Sequence, residues 1–255
     1  MFANYHTHTA RCHHATGEDK AYVEAAIQNG FQVLGFSDHC PWIFSDGYVS
    51  PIRMTPDELD GYVTSLTALK KEYAADITIY IGLESEYVPE MLPEQQQFLQ
   101  DYPIDYQILG EHFLYPEQRG IYTGRPTDDA TELKHYVDQV IAGMETGNYL
   151  YLAHPDLFHF IGDPALYEQE FRRLCVYLKE KQIPIEINQL GLADHRQYPN
   201  PAFLKIAESV GNTAIIGCDA HHPSALLDTD SQQACKKLAE QYHLPLIEVF
   251  PLLSR

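Results

Sequence analysis

The sequence predicts an α/β chain whose parallel strands close into a barrel, and three observations predict it. Short apolar runs alternate with helical segments about seven times along 255 residues, the pattern of parallel β/α architecture. Every run ends in a metal-capable or polar residue. In a parallel barrel such ends converge on one face, whereas an open sheet gathers ligands from two or three strands at a switch point. Seven contributing ends favour the barrel.

The runs span residues 2–5, 33–36, 77–83, 106–109, 149–153, 183–187 and 213–216. They are short and rich in Ile, Val, Leu, Tyr or Phe, as buried parallel strands are. Between the first two, residues 22–28 (YVEAAIQ) repeat apolar side chains at helical spacing. Next, Thr55-Pro56-Asp57-Glu58 forms a helix start, with Thr55 as N-cap and Glu58 as its capping-box partner, and the pattern continues to residue 73. Further helices are predicted over 131–145, 166–180, 202–210 and 231–242. Gly35, Gly82, Gly110 and Gly217 stand shortly before the ends of four runs. They predict close approach of backbone or ligand at those points.

Charge narrows the partners. Seventeen Lys+Arg against 36 Asp+Glu give a formal net of −19, which repels polyanions and excludes nucleic acid and anionic membrane as expected partners. No apolar stretch approaches the ~18 residues of a membrane span. Residues 1–14 carry histidines and an arginine where a secretory signal needs an apolar segment. The five cysteines are scattered without C-x-x-C and read as reduced thiols. A cytoplasmic location is expected, and with no linker composition, one domain over residues 1–255.

The run ends carry the chemistry. The first ends in His6-Thr7-His8, the second in Asp38-His39, the third in Glu84, the fourth in Glu111-His112, the fifth in His154, the sixth in Glu186 and Asn188, and the seventh in Asp219-Ala220-His221. Residues i and i+2 of a strand share a side, so both imidazoles of His6-x-His8 can reach one ion, and Asp219-x-His221 repeats that geometry. Either pair alone is as readily chance in a chain with 13 histidines. Both pairs, with Glu84, His39, His112 and His154 at other ends, predict a multinuclear metal centre. Mixed carboxylate and imidazole ligation suits Zn, Mn or Fe without choosing among them.

The motifs His6-Thr7-His8, Gly35-Phe36-Ser37-Asp38-His39, Gly82-Leu83-Glu84, Glu111-His112, His154-Pro155 and Cys218-Asp219-Ala220-His221 resemble those of the polymerase and histidinol phosphatase (PHP) superfamily, in the family's order from residue 4 to about 223. The chain is most similar to the stand-alone histidinol-phosphatase type. The resemblance implies a distorted (β/α)7 TIM-like barrel holding up to three divalent or trivalent ions. It assigns His6, His8 and Asp219 to the first metal with Glu84 bridging, His112 and His154 to the second sharing Glu84, and His14, His39 and His221 to the third. His13 is the rival of His14 for that last position.

The resemblance implies hydrolysis of a small phosphomonoester, with histidinol phosphate the leading substrate, by in-line attack of a metal-bridging hydroxide organised by Glu84 and Asp219. Such coordination lowers the pKa of water towards roughly 7. Asp38 either protonates the leaving alcohol or orients His39. One departure concerns the phosphate grip. The family's arginine soon after the E-x-N segment is missing here; Glu186-Ile187-Asn188 is followed by arginine only at Arg196. Nor is there an arginine about six residues after His154, where Phe158-His159-Phe160 stands. Arg196 is the first candidate for phosphate, with His195, His159, Asn188, Arg11 and Arg125 as others. The departure keeps two alternatives open: a phosphatase for another small phosphorylated metabolite or nucleotide, and a non-catalytic metal-binding or regulatory barrel. Cys12, Cys40 and Cys218 lie within two residues of proposed ligands and read as small buried hydrophobes. Trp42, Phe44 and Tyr48 read as loop packing or as a wall against a substrate ring.

Overall fold

A computed structural model describes residues 2–252 of the chain. They form two compact units, one of residues 2–108, 218–230 and 248–252, the other of residues 109–217 and 231–247.

In the first unit, β1 (Ala3–Asn4), β2 (Val33–His39), β3 (Thr78–Ser85) and β4 (Tyr106–Leu109, its last residue counting with the second unit) lie in that order in one sheet. β1–β2 and β2–β3 pair in parallel, and the register sets His39 beside Glu84. All seven residues of β2 are buried, the apolar first half as a parallel strand covered on both faces requires and Ser37, Asp38 and His39 as the strand end that enters the site. Helices α1 (Asp19–Gln28) and α2 (Leu59–Glu72) supply Tyr22, Val23, Leu59, Tyr62 and Leu66 to a core shared with Leu34, Phe36, Ile79, Ile81 and Leu83. Each such fully buried aliphatic or aromatic side chain stabilises by about 1.5–3 kcal/mol. The start signal before α2 forms as expected. Glu58 accepts from the Thr55 backbone N–H at 2.7 Å and from its hydroxyl at 2.9 Å. A third helix, α3 (Leu92–Leu99), was not expected, because LPEQQQFL carries too few apolar residues to show a periodic face.

Gly35 and Gly82 do make room, though for protein rather than ligand. The Tyr106 ring from β4 lies over Gly35 and Gly82. A Cβ on Gly82 would fall 2.5 Å from the ring, and one on Gly35 would fall 2.3 Å from its hydroxyl. That hydroxyl donates towards the carbonyls of Tyr5 at 2.7 Å and Phe36 at 3.0 Å, tying three strands where a backbone ladder alone would not.

In the second unit, β5 (Ile185–Asn188) and β6 (Ala214–Gly217) pair in parallel. The expected strand over 149–153 is reduced to isolated bridges at Leu152, towards Leu109 and Ile185. Six of the seven apolar runs are therefore strands among the described residues. Helices α4 (Ala130–Glu145), α5 (Pro164–Glu180), α7 (Pro201–Val210) and most of α8 (Thr229–Gln241) pack around them, and a short α6 (Gln189–Ala193) follows β5. Asp129, Asp163 and Asn200 cap α4, α5 and α7 by accepting from backbone N–H groups two residues on, each worth about 1 kcal/mol. Phe171 of α5 meets Phe203 of α7 edge-on at 5.4 Å. Gly217 clears space for the Glu186 carboxylate, which a Cβ there would approach to 1.7 Å. No helix among the described residues is long and apolar enough to cross a membrane.

Candidate metal centre

The first unit brings two chain segments together at the end of its sheet. Thr7 and Ala220 form a parallel bridge; His8 N–H donates to the Ala220 carbonyl at 3.0 Å, and Ala220 N–H to the His6 carbonyl at 3.3 Å. That bridge sets His6-x-His8 alongside Asp219-x-His221, so the period-two side chains of both face one spot. Asn4 locks the arrangement. Its amide donates to Thr7 Oγ1 at 2.7 Å and to the His6 carbonyl at 3.0 Å, and its oxygen accepts from Cys218 N–H at 2.8 Å. Asp219 holds the left-handed backbone, φ 51°, which a non-glycine residue keeps only where its surroundings dictate it.

The resulting cluster is buried and mixed in donor type. The Nε2 atoms of His6 and His8 lie 3.5 and 3.1 Å from Asp219 Oδ1. Glu84 Oε2 lies 3.5 Å from each of those nitrogens and 3.3 Å from His39 Nδ1. One carboxylate oxygen thus faces three imidazoles, as a bridging ligand must. His14, His39 and His221 place ligand atoms within 4.8 Å of one another, and His14 Nε2 stands 3.0 Å from His221 Nε2. His13 turns away in a left-handed conformation, φ 66°, towards Glu58 at 3.8 Å. The geometry thereby gathers His14 rather than its neighbour.

Electrostatics sort the histidines. Burial opposes a charge on His8, yet Asp219, Asp38 and Cys12 around the ring outweigh it and hold its pKa well above the ordinary imidazole value. Burial and the adjacent His8 push His221 down to about 3, leaving it a neutral imidazole. Asp219 is buried, which alone would raise it, but His6, His8 and His221 hold it well below the usual carboxylate range. Asp38 is fully buried and already engaged. It accepts from Thr9 Oγ1 and Thr9 N–H, and from His39 N–H at 2.8 Å, and its Oδ1 lies 3.4 Å from His8 Nδ1. Its carboxylate thus faces the His8 ring and only the backbone of His39, the residue it was expected to orient.

In the second unit the rings of His112 and His154 lie 5.0 Å apart. His154 also takes positive φ, 25°, and its backbone N–H donates to Glu186 Oε2 at 2.9 Å. Asn188 donates to the same oxygen at 2.9 Å while its own oxygen caps α6 through Gly191 N–H at 2.8 Å. Its amide therefore serves the loop's shape. Glu111 is held by Gln139 at 2.8 Å. Arg196 pairs with Asp194 at 3.0 Å and reaches the Tyr198 hydroxyl at 3.1 Å, and the Tyr198 ring lies 5.9 Å from that of His154. His195 is exposed in the left-handed region, φ 55°, and His159 is half-buried. The other cationic candidates are paired elsewhere, Arg11 with Asp19 and Arg125 with Glu132.

The PHP domain family profile matches residues 4–190. The chain belongs to the PHP domain family. Among curated relatives, the probable histidinol-phosphatase of Deinococcus radiodurans is 28% identical over 230 residues, 86% of this chain and 85% of that protein. The histidinol-phosphatase of Bacillus subtilis is 34% identical over 115 residues, 43% of each chain. Among solved structures, histidinol phosphate phosphatase from Lactococcus lactis, complexed with Zn, L-histidinol and phosphate, matches with a TM-score of 0.72 at 20% identity, covering 96% of this chain and 95% of that one. That likeness shows the fold, the α/β TIM-like barrel of PHP histidinol phosphatases.

The donor set of this PHP chain fits metal ions. His8 is wholly buried, and neither ring nitrogen meets a partner at hydrogen-bonding geometry. A buried imidazole in that state costs free energy unless a proton or a cation satisfies it. Imidazole nitrogens and carboxylates crowd within 3.5 Å of one another, the donor types that Zn, Mn or Fe accept. The sequence alone does not single out Asn4, which fixes the His6 and Cys218 backbone, Thr9, which holds Asp38, or Gln139, which holds Glu111 from α4. Trp42 donates to Glu86 at 3.1 Å, and Glu86 is paired bidentately with buried Arg53 at 2.9 Å. Trp42, Phe44, Tyr48 and Arg53 line a cavity of about 320 Å³ in the first unit.

Proposed function

We propose that the protein is a metal-dependent phosphatase acting on histidinol phosphate, a step of histidine biosynthesis in the cytoplasm, and that residues 1–255 act as one PHP-type domain. The family match over residues 4–190, which includes segments of both compact units, supports the last point. His6, His8 and Asp219 would hold one ion and His14, His39 and His221 another, with Glu84 beside both sets. In the second unit, His112 and His154 would hold a third. Bound ions supply Lewis-acid polarisation of phosphoryl oxygens and a water acidic enough to attack near neutral pH.

The chain's own residues prepare that chemistry. Asp38 and Thr9 fix the His8 ring, His221 is already neutral and able to ligate, and Glu186 fixes the backbone at His154. Arg196, tethered through Tyr198 beside His154, is the residue we assign to the substrate phosphate, with His195 and His159 on neighbouring loops. The observation that carries this reading is Glu84 Oε2 facing His6, His8 and His39 in a buried pocket of imidazoles. A match over 85% of the length of a probable histidinol-phosphatase supports the substrate.

Phosphate release from a panel of phosphomonoesters by protein reconstituted with Mn or Zn tests the proposal. Turnover dominated by histidinol phosphate is expected. A different preferred ester would keep the chemistry and reassign the substrate. Stoichiometric metal with no turnover on any ester would favour a non-catalytic barrel.

A further inference from the structure

We propose that Cys12 is a thiolate ligand of the metal centre, placing a soft sulfur donor beside His8 and His221. The inference rests on the metal-centre reading above and adds a ligand to it. Cys12 closes a 3-10 turn, Ala10–Cys12, whose N-cap Thr9 is anchored on Asp38. The next residue, His13, flips to the left-handed region and returns the chain so that His14 faces His221. Cys12 is thereby carried inward on a turn that the ligand cluster itself pins at both ends.

Its thiol is wholly buried, and Sγ lies within 4.8 Å of ring nitrogens of both His8 and His221. His8 is the independent pointer. It is fully buried and neither ring nitrogen meets hydrogen-bonding geometry, although Asp219 Oδ1 stands 3.1 Å from Nε2 and Asp38 Oδ1 3.4 Å from Nδ1, a spacing that a cation among these donors would fill. Cys40, by contrast, takes the amide of Gln95 at 3.0 Å and is committed to packing behind β2. On binding, the ion replaces the proton on Cys12 Sγ, which passes to solvent, and a metal–sulfur bond forms with no change of oxidation state.

A thiolate among imidazoles and carboxylates has a chemical consequence. Sulfur favours Zn over Mn, so the position next to Cys12 should keep zinc under conditions where the oxygen-rich positions exchange for manganese. Imidazole donors also lean towards zinc, so the sulfur itself is read by its spectrum rather than by metal preference alone.

Full-length protein loaded with Co(II) tests this directly. The wild type should show a near-ultraviolet thiolate-to-cobalt charge-transfer absorption, lost in C12S and kept in C175S, whose cysteine lies on α5. C12S should also bind zinc about 10–100-fold more weakly, with manganese affinity little changed. Cobalt bound in stoichiometric amount without the absorption, or with an absorption that survives C12S, overturns the assignment. Should C12S fail to fold, the wild-type spectrum and zinc protection of Cys12 against iodoacetamide still decide it. Protein that binds no metal by elemental analysis overturns the metal centre itself, an outcome distinct from bound cobalt without sulfur.

Discussion

His8 shows how one side chain couples protons to ions. In the metal-free protein its pKa is raised, so the folded state binds a proton that the unfolded state releases at a lower pH. The stability from that proton is fully present below the ordinary imidazole value of about 6.5 and is lost as pH rises through the folded value. A metal ion competes for the same nitrogen, so binding must expel the proton. Titration of metal-free protein with zinc at pH 7 should release protons, seen as a dependence of calorimetric heat on the buffer's ionisation enthalpy, and apparent affinity should fall as pH drops. Proton release should persist in D38N with a smaller pH dependence, because the carboxylate facing His8 Nδ1 is then neutral. Affinity independent of pH between 6 and 8 would contradict this. At Glu84, which faces three imidazoles, E84Q should lose metal and activity together; full retention of both would remove its bridging role.

Strands and helices tell which parts of the sequence could be read. Tyr106 occupies the space over Gly35 and Gly82, so G82A forces a Cβ into a ring held by two carbonyls. It should cost about 1–3 kcal/mol by denaturant unfolding, and pairing it with Y106F or Y106A should restore part of the loss. No loss in G82A would mean that the ring moves freely. The same glycines were legible as places of close approach, but not what approached, because the partner lies on a strand more than 20 residues further on. The period-two motifs His6-x-His8 and Asp219-x-His221 were legible because strand geometry alone decides which side chains share a face. The strand over 149–153 was over-read, since an apolar run does not reveal whether a ladder or isolated bridges satisfy it. Helices α3 and α6 were missed, the first for want of apolar spacing and the second because five residues carry no period. That Asp38 faces the His8 ring as well as the His39 backbone was not legible, since a sequence neighbour is not a ring neighbour.

Across the whole molecule, ligands drawn from far-apart segments make ion binding a stability term. An ion that binds only the folded state at about 100 times its Kd adds about 2.7 kcal/mol. For a chain of this size each kcal/mol raises Tm by roughly 2–4 °C. Zinc-loaded protein should therefore melt roughly 5–10 °C above protein stripped with a chelator, and the stripped protein should lose activity and regain it with Mn or Zn. Identical melting curves, or activity in demonstrably metal-free protein, would contradict a structural and catalytic role for the ions. The acidic surplus, net −19, concentrates cations near the surface at low salt, so reloading should slow as ionic strength rises.

Asn4 and Cys218, joined by one hydrogen bond across 214 residues, also set an order of events during synthesis. His6 and His8 emerge well before Asp219 and His221, the carboxylate and imidazole that complete their cluster. At ribosomal rates of about 5–20 residues per second the wait is roughly 10–40 s. Through that interval the nascent chain displays half a cage, and only a polypeptide synthesised past residue 221 can shut it.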